Sequence, residues 1–275
     1  MQQFKQIIKS LVPTKVLQFY HSFKYPQTSS ESGYWIGDYA TWDEALKQTS
    51  GYDELSILHK IKDSTLKVKR GEAQYERDSI AFNDFEYSTE FLNALKYVVK
   101  DNKVSIIDFG GSLGSQYFQY KRFFDGIDMN WMVVEQAHFV DCGKKDIADD
   151  QLHFFYTIEE ALKYKEANTV VLSSVLPYIK DPFELIQKIV SYEFDYIIID
   201  RNPFIDMNRD LITIQIVPQF VYKASYPSWF FYEEKFLEAF KYKYTILKEF
   251  DSPFAAPMLV NNVQACWKGF ILKKI

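Results

Sequence analysis

From residue 89 onward, apolar runs of strand length alternate with helical patterns. Val104–Phe109 is the first such run, and it breaks at Gly110-Gly111. Further strands are predicted at Trp131–Glu135, Leu152–Tyr156, Thr169–Ser173 and Tyr196–Asp200, and a final pair at Tyr244–Phe250 and Gln264–Lys273. Helical spacing marks Thr89–Lys100, the residues after Gly114, the stretch capped by Thr157, the stretch from Asp181-Pro182 to Val190, and Glu233–Phe240. Alternation of this kind predicts an α/β fold: a mostly parallel sheet with helices on both faces. The thirty-odd residues between Asp200 and Glu233 carry no clear pattern, which is long for a strand-to-helix connection.

Upstream the pattern is helical and broken. Phe4, Ile7, Ile8 and Leu11 fall on one helical face with Lys5 and Lys9 between them, until Pro13 interrupts. Two readings are open for this stretch: a helix packed on the body or on a partner, or an interfacial helix resting on a membrane surface. Residues 25–33 read as a loop, Thr41 as the cap of a short helix, and residues 54–69 as a helix. The segment Tyr75-Glu76-Arg77-Asp78 reads either as a solvated helix face or as a lid whose Arg77 or Asp78 reaches a ligand. The division expected is a helical N-terminal extension over residues 1–88 and a Rossmann-like domain over residues 89–275.

Composition narrows the function classes. With 47% hydrophobic residues over 275 positions the core is ample, and 24 Phe and 20 Tyr suit an aromatic-lined cleft. A net charge of −5 argues against a nucleic-acid binder. Two distant cysteines and four scattered histidines give neither a disulfide framework nor metal-ligand spacing, so no metal is expected and a reducing, cytoplasmic setting is. No apolar run approaches a membrane span.

The chemistry concentrates in Lys103–Gln119, KVSIIDFGGSLGSQYFQ. A strand, a glycine turn and a helix make the first half of a nucleotide-binding βαβ unit, in which the turn admits a ligand close to the backbone. Asp108 ends the strand, and a carboxylate there suits a cofactor with amine donors or positive charge. Glu135, about 25 residues beyond the turn, stands where a Rossmann-like sheet accepts hydrogen bonds from two ribose hydroxyls. Surface exposure alone also explains it.

The order DFGGSLG, VVEQ, VVLSSVLPYIKDP, YIIIDR resembles a class I S-adenosylmethionine (SAM)-dependent methyltransferase over Val104–Ile275. More closely, WIGDYATWDEA, GYD, YERDSIAF, DFGGSLGSQYFQ, VVEQ and YPSWFF are similar to one bacterial family of methyltransferases associated with surface-polysaccharide genes. The resemblance implies a seven-stranded sheet with an antiparallel last strand, SAM as cofactor, and methyl transfer to a sugar or other small polar acceptor. It implies cofactor contacts from Asp108, Gly110, Gly111, Ser112, Gly114, Glu135, Gln136, Thr157, Ser173 and Ser174. Ser112 stands where the family pattern carries its middle glycine. Past the fifth strand Asp200, as base, Arg201, as anchor for an acidic substrate group, and Tyr226 are the expected catalytic residues. Asn202, Thr213 and Gln215 are further candidates, and Tyr178, Trp229 and Phe230 are wall or core. Asp200 and Arg201 read equally well as a structural pair. Two other functions remain open, a non-catalytic scaffold and an enzyme binding NAD or a nucleotide sugar.

Overall fold

The computed structural model describes residues 35–49, 54–217, 224–252 and 257–275. The expected helix within residues 4–23, the loop 25–33 and the motif GYD lie outside them. In chain order the strands are β1 (Trp35–Tyr39), β2 (Tyr75–Arg77), β3 (Ile80–Phe82), β4 (Lys103–Phe109), β5 (Asp128–Val134), β6 (Leu152–Phe155), β7 (Thr169–Ser173), β8 (Tyr196–Ile205), β9 (Leu211–Ile216), β10 (Ser225–Phe230), β11 (Tyr244–Asp251), β12 (Met258–Val260) and β13 (Val263–Lys274). The helices are α1 (Trp42–Lys47), α2 (Glu54–Lys69), α3 (Thr89–Tyr97), α4 (Ser115–Tyr120), α5 (Ala137–Cys142), α6 (Ile158–Tyr164), α7 (Pro182–Ser191) and α8 (Glu233–Glu238).

The main sheet runs β11-β13-β8-β7-β4-β5-β6, with β12 added beside β13. The neighbours among β4 to β8 are parallel, and β13 runs antiparallel to both β8 and β11. The sheet therefore holds eight strands where seven were expected. The extra one is the short arm of a hairpin turned by Asn261-Asn262, both in the left-handed region that a tight two-residue turn requires.

Strand residues alternate between two cores. Ile106, Trp131, Val133, Val171 and Ile198 pack with Phe91, Leu95 and Tyr117 of α3 and α4 on one face. Ile107, Met132, Val170, Leu172, Ile197 and Ile199 pack with Ile186, Ile189 and Phe236 of α7 and α8 on the other. Each fully buried large apolar side chain of this kind contributes ~1.5–3 kcal/mol.

The segment before β4 is not purely helical. β1 pairs with β9, and β9 with β10, in a separate three-stranded antiparallel sheet, so the patternless stretch after Asp200 holds two strands. β9 is buried with little alternation, which hides the period of two: Leu211 through Ile214 are all buried. Tyr75–Phe82 is a β-hairpin, turned by Asp78 and Ser79 at φ 51° and 66°, and not a helix face. Glu76, 5% exposed, is too buried for a solvated surface.

Candidate active site

The parallel strands β4, β5, β7 and β8 end on one edge, where open α/β sheets bind ligands. At that edge the chain leaves ordinary backbone geometry three times in non-glycine residues. Ser112 has φ 55°, Ser174 φ 56° and Arg201 φ 52°. They follow β4 and β7 and lie within β8, three strands adjacent in the sheet. Each such residue costs on the order of 1–3 kcal/mol, and such strain collects at ligand sites.

The glycine turn is built from within. Gly110, at φ 74°, sits so close to Val175 that a β-carbon would lie 2.4 Å from its Cγ2. Gly111 lies directly over the Asp108 carboxyl group, where a β-carbon would come within 2.5 Å. Ser112 takes the left-handed conformation that a glycine would adopt, so the departure from the expected glycine pattern leaves the turn's path intact. Gly114, at φ 83°, precedes α4 and accepts the Phe118 amide at 3.0 Å.

Asp108, expected among the cofactor contacts, lies under the turn. It is 1% exposed and accepts a hydrogen bond from Trp131 Nε1 at 2.9 Å. The strand period places it on the face of Ile106, beside Trp131, beneath the turn. Burial pushes its carboxyl group up to about 7 against the opposing Trp131 hydrogen bond.

Glu135 follows β5 at half-buried depth and leans toward the turn. It accepts the Gln136 amide at 2.6 Å, and the Ser112 amide also favours its charge, while burial, the larger effect, raises its pKa. Gln136 is exposed and makes no side-chain cap on α5. Thr157 is also exposed, but its hydroxyl is used locally: it accepts the Glu160 amide at 3.2 Å as the cap of α6.

Ser173 joins the strand ends. Its Oγ accepts from Gln116 Nε2 at 3.1 Å and from Arg201 Nη2 at 3.1 Å, and donates to Asp200 Oδ2 at 2.9 Å. Asp200 is 2% exposed and ion-paired with Arg201 Nε at 3.3 Å. Burial raises its pKa, with Arg201 the main opposing influence. A carboxylate so enclosed braces Ser173 and Arg201. Asp200 Oδ1 and Gln116 Oε1 are buried acceptors with no hydrogen-bond partner among the described residues.

Tyr226 lies on β10 opposite Gln215 of β9. Gln215 accepts from Tyr178 Oη at 2.8 Å, and the Tyr178 and Tyr226 rings meet edge to face at 5.3 Å. Trp229 donates to the Ile179 carbonyl at 3.0 Å and stacks on Trp42, so it is framework. Phe230 and Thr213 are buried, as is Asn202.

Two contributors were not singled out in the sequence. Gln116 had only its position in the first turn after Gly114 as a signal. Glu76 had its place in the polar YERD cluster. Its carboxyl group accepts from Ser115 Oγ and from the Ser79 amide, the latter at 2.8 Å, which ties the hairpin to the start of α4.

No family model matches the chain, and no curated protein matches it in sequence. Among solved structures, the N-terminal domain of EvdMO1 with S-adenosylhomocysteine (SAH) bound is similar at 10% identity, covering 82% of this chain and 98% of that one, with a TM-score of 0.45. A SAM-dependent methyltransferase from Clostridium acetobutylicum is 11% identical over 78% of this chain and 98% of its own, with a TM-score of 0.43. The glycopeptide N-methyltransferase MtfA complexed with SAM is 9% identical over 70% and 98%, with a TM-score of 0.45. Likeness at this level assigns no substrate, and the chemistry has to be read from the edge of the sheet.

Proposed function

We propose that this chain is a SAM-dependent methyltransferase acting on a sugar or another small polar acceptor. The observation that carries the reading is the strained edge itself: three left-handed non-glycine residues, two shortly after β4 and β7 and one within β8, beside glycines at 110 and 111 with no room for a β-carbon. The residues present fit the cofactor. Gln116 Oε1 and Asp200 Oδ1 are buried acceptors awaiting donors, as an ammonium group supplies. Glu135 stands at the end of β5, within reach of the turn, to accept ribose hydroxyls. Tyr156, exposed at the end of β6 with Lys144 Nζ 4.2 Å over its ring, offers a stacking surface for a base.

Bound SAM supplies a methyl group already activated by its sulfonium. The chain therefore has to orient more than to activate, and orientation alone lowers barriers by several kcal/mol. Gly110, Gly111 and Ser112 admit the cofactor to the backbone. Ser173 and Ser174 underlie its amino-acid portion. Asp200 locks Ser173 and Arg201 in place. Tyr178, Gln215 and Tyr226 form a polar and aromatic wall for the acceptor. Resemblance to the polysaccharide-associated family supports a place in surface-glycan biosynthesis, on the cytoplasmic side.

Calorimetry with SAM, SAH and NAD tests the reading. SAM and SAH are expected to bind and NAD not to. Binding of NAD alone would move the protein to a different Rossmann chemistry, and binding of none would leave a scaffold.

A further inference from the structure

We propose that Glu76 is a positioning residue for the cofactor: through Ser115 it sets the start of α4 so that Gln116 presents its unpaired side-chain oxygen to the ammonium group of SAM. The proposal rests on the methyltransferase reading, and it gives the polar cluster Tyr75–Asp78 a part in the site.

Gln116 stands where the strand ends meet. It is 9% exposed, and its Nε2 donates to Ser173 Oγ at 3.1 Å. That bond uses the nitrogen, and Oε1 has no partner among the described residues. Asp200 is placed in the same way: Oδ2 accepts from Ser173 Oγ at 2.9 Å, while Oδ1 has no partner among the described residues. Two buried, unpaired acceptors therefore belong to side chains bonded to one hydroxyl at the end of β7. Such acceptors cost free energy until a donor reaches them, and an ammonium group brings three donors.

The short helix that carries Gln116 does not hold itself. α4 has six residues, and Gly114 before it makes no side-chain cap. The hold comes from the hairpin. Glu76 Oε2 accepts from Ser115 Oγ, on the residue next to Gln116, and Glu76 Oε1 accepts the Ser79 amide at 2.8 Å. Glu76 is buried, and hydrogen bonds made away from water are the stronger for it. The hairpin is anchored at other points as well. Ser64 Oγ of α2 donates to the Ser79 carbonyl at 2.7 Å, the Tyr75 and Phe82 rings stack at 4.8 Å, and Arg122 Nη1 donates to Gln74 Oε1 at 3.1 Å. Glu76 thus ties a braced hairpin to the first residue of α4, and the second residue of α4 carries the unpaired acceptor. Hydrogen bonds weaken steeply with misplacement, so a hold on residue 115 is felt at residue 116.

The test uses the full chain and the variants Glu76→Ala, Glu76→Gln, Ser115→Ala, Gln116→Ala and the double variant Ser115→Ala with Gln116→Ala, with thermal melts as folding controls. Calorimetry measures SAH and an SAH analogue that carries hydrogen in place of the ammonium group. Gln116→Ala is expected to weaken SAH by ~10-fold, and Glu76→Ala and Ser115→Ala by ~3–10-fold, while affinity for the analogue stays within about twofold of wild type. Glu76→Gln should keep SAH affinity near that of wild type, because its oxygen still accepts the Ser79 amide and its nitrogen donates to Ser115 Oγ. In the Gln116→Ala background, Ser115→Ala should cost nothing further, since a group that acts only through Gln116 has nothing left to position. Wild-type SAH affinity in Ser115→Ala or Gln116→Ala overturns the proposal. So does an equal loss of SAH and the analogue, or a fully additive loss in the double variant, because the tie would then support the cleft as a whole. A loss in Glu76→Gln as large as in Glu76→Ala overturns it too, because charge and not the tie would then matter. If Glu76→Ala fails to fold, Ser115→Ala decides, since it leaves the bond between Glu76 and the Ser79 amide in place. Absence of SAH binding by wild type overturns the methyltransferase reading and the proposal with it, whereas SAH binding indifferent to Ser115 overturns the proposal alone.

Discussion

At the scale of single residues, the site turns on backbone positions as much as on functional groups. Ser112 occupies a left-handed conformation that costs an L-residue about 1 kcal/mol or more. Ser112→Gly is therefore expected to leave stability unchanged or to raise it by up to ~1 kcal/mol, since glycine's looser unfolded chain offsets part of the relief. Gly111→Ala should do the opposite. Its methyl group would press on the buried Asp108 carboxyl group, and a loss of ~1–3 kcal/mol is expected in urea melts. A wild-type midpoint for Gly111→Ala would mean that the turn relaxes freely. Glu135→Ala removes an acceptor for two ribose hydroxyls. At ~1.5 kcal/mol or more for each charge-assisted bond, SAH affinity should fall at least ~10-fold by calorimetry. Equal affinity would remove Glu135 from the ribose site.

At the scale of elements, the hairpin β2–β3 is tied through Glu76 and Ser115 to the start of α4, just past the glycine turn. Its two-residue turn, Asp78-Ser79, has both residues at positive φ, the geometry in which Asn-Gly is preferred. Replacing the pair with Asn-Gly should stabilise the hairpin by ~1 kcal/mol and slow proteolytic cleavage within residues 75–82. A lid role for the hairpin predicts that bound SAH slows the same cleavage in the wild type. Identical digestion with and without SAH would make the hairpin a fixed wall. The helices give less room for change. α3, for example, is capped by Ser88 Oγ, which accepts the Phe91 amide at 3.1 Å, and buries Phe91, Leu92 and Leu95.

For the molecule as a whole, buried carboxyl groups tie stability to pH. Glu76 and Asp108 ionise with ordinary values of 4.5 and 3.8 and are both raised to about 7 in the fold. Between those limits the unfolded chain has lost protons that the folded chain keeps. Their contribution is therefore largest at acid pH, falls as pH rises through that window and levels off above about 7. Asp108→Asn keeps an acceptor for Trp131 Nε1 and removes one of these titrations. The variant's unfolding free energy should decline less steeply than the wild type's between about pH 5 and about pH 7, by an amount on the order of 1 kcal/mol or more. Parallel profiles would show that Asp108 ionises normally in the folded protein.

The order of the sheet's strands and helices was legible in the chain because it rests on periodicity and punctuation. Runs such as Thr169–Ser173 are buried throughout with an apolar Val-Val-Leu centre, since a central parallel strand is covered on both faces, and Gly110-Gly111 and Asp181-Pro182 mark where elements turn or begin. The positions of Glu135 and the glycine turn were legible for the same reason, being set by their distance from a strand end. Three things were decided only by the tertiary structure. Asp108 is a supporting group because the pleat aims it at Trp131, and one residue of register would have reversed that. Asp200 is a brace because Ser173 and Arg201 close on it from a neighbouring strand and its own. β9 was hidden because a short, mostly buried strand lacks alternation, β10 and the Tyr75–Phe82 hairpin because their short strands show no period of two, and β9 becomes a strand by pairing with β1, far earlier in the chain. Local pattern carries what neighbours in sequence decide. Burial, charge pairing and long-range strand pairing depend on groups that only folding brings together.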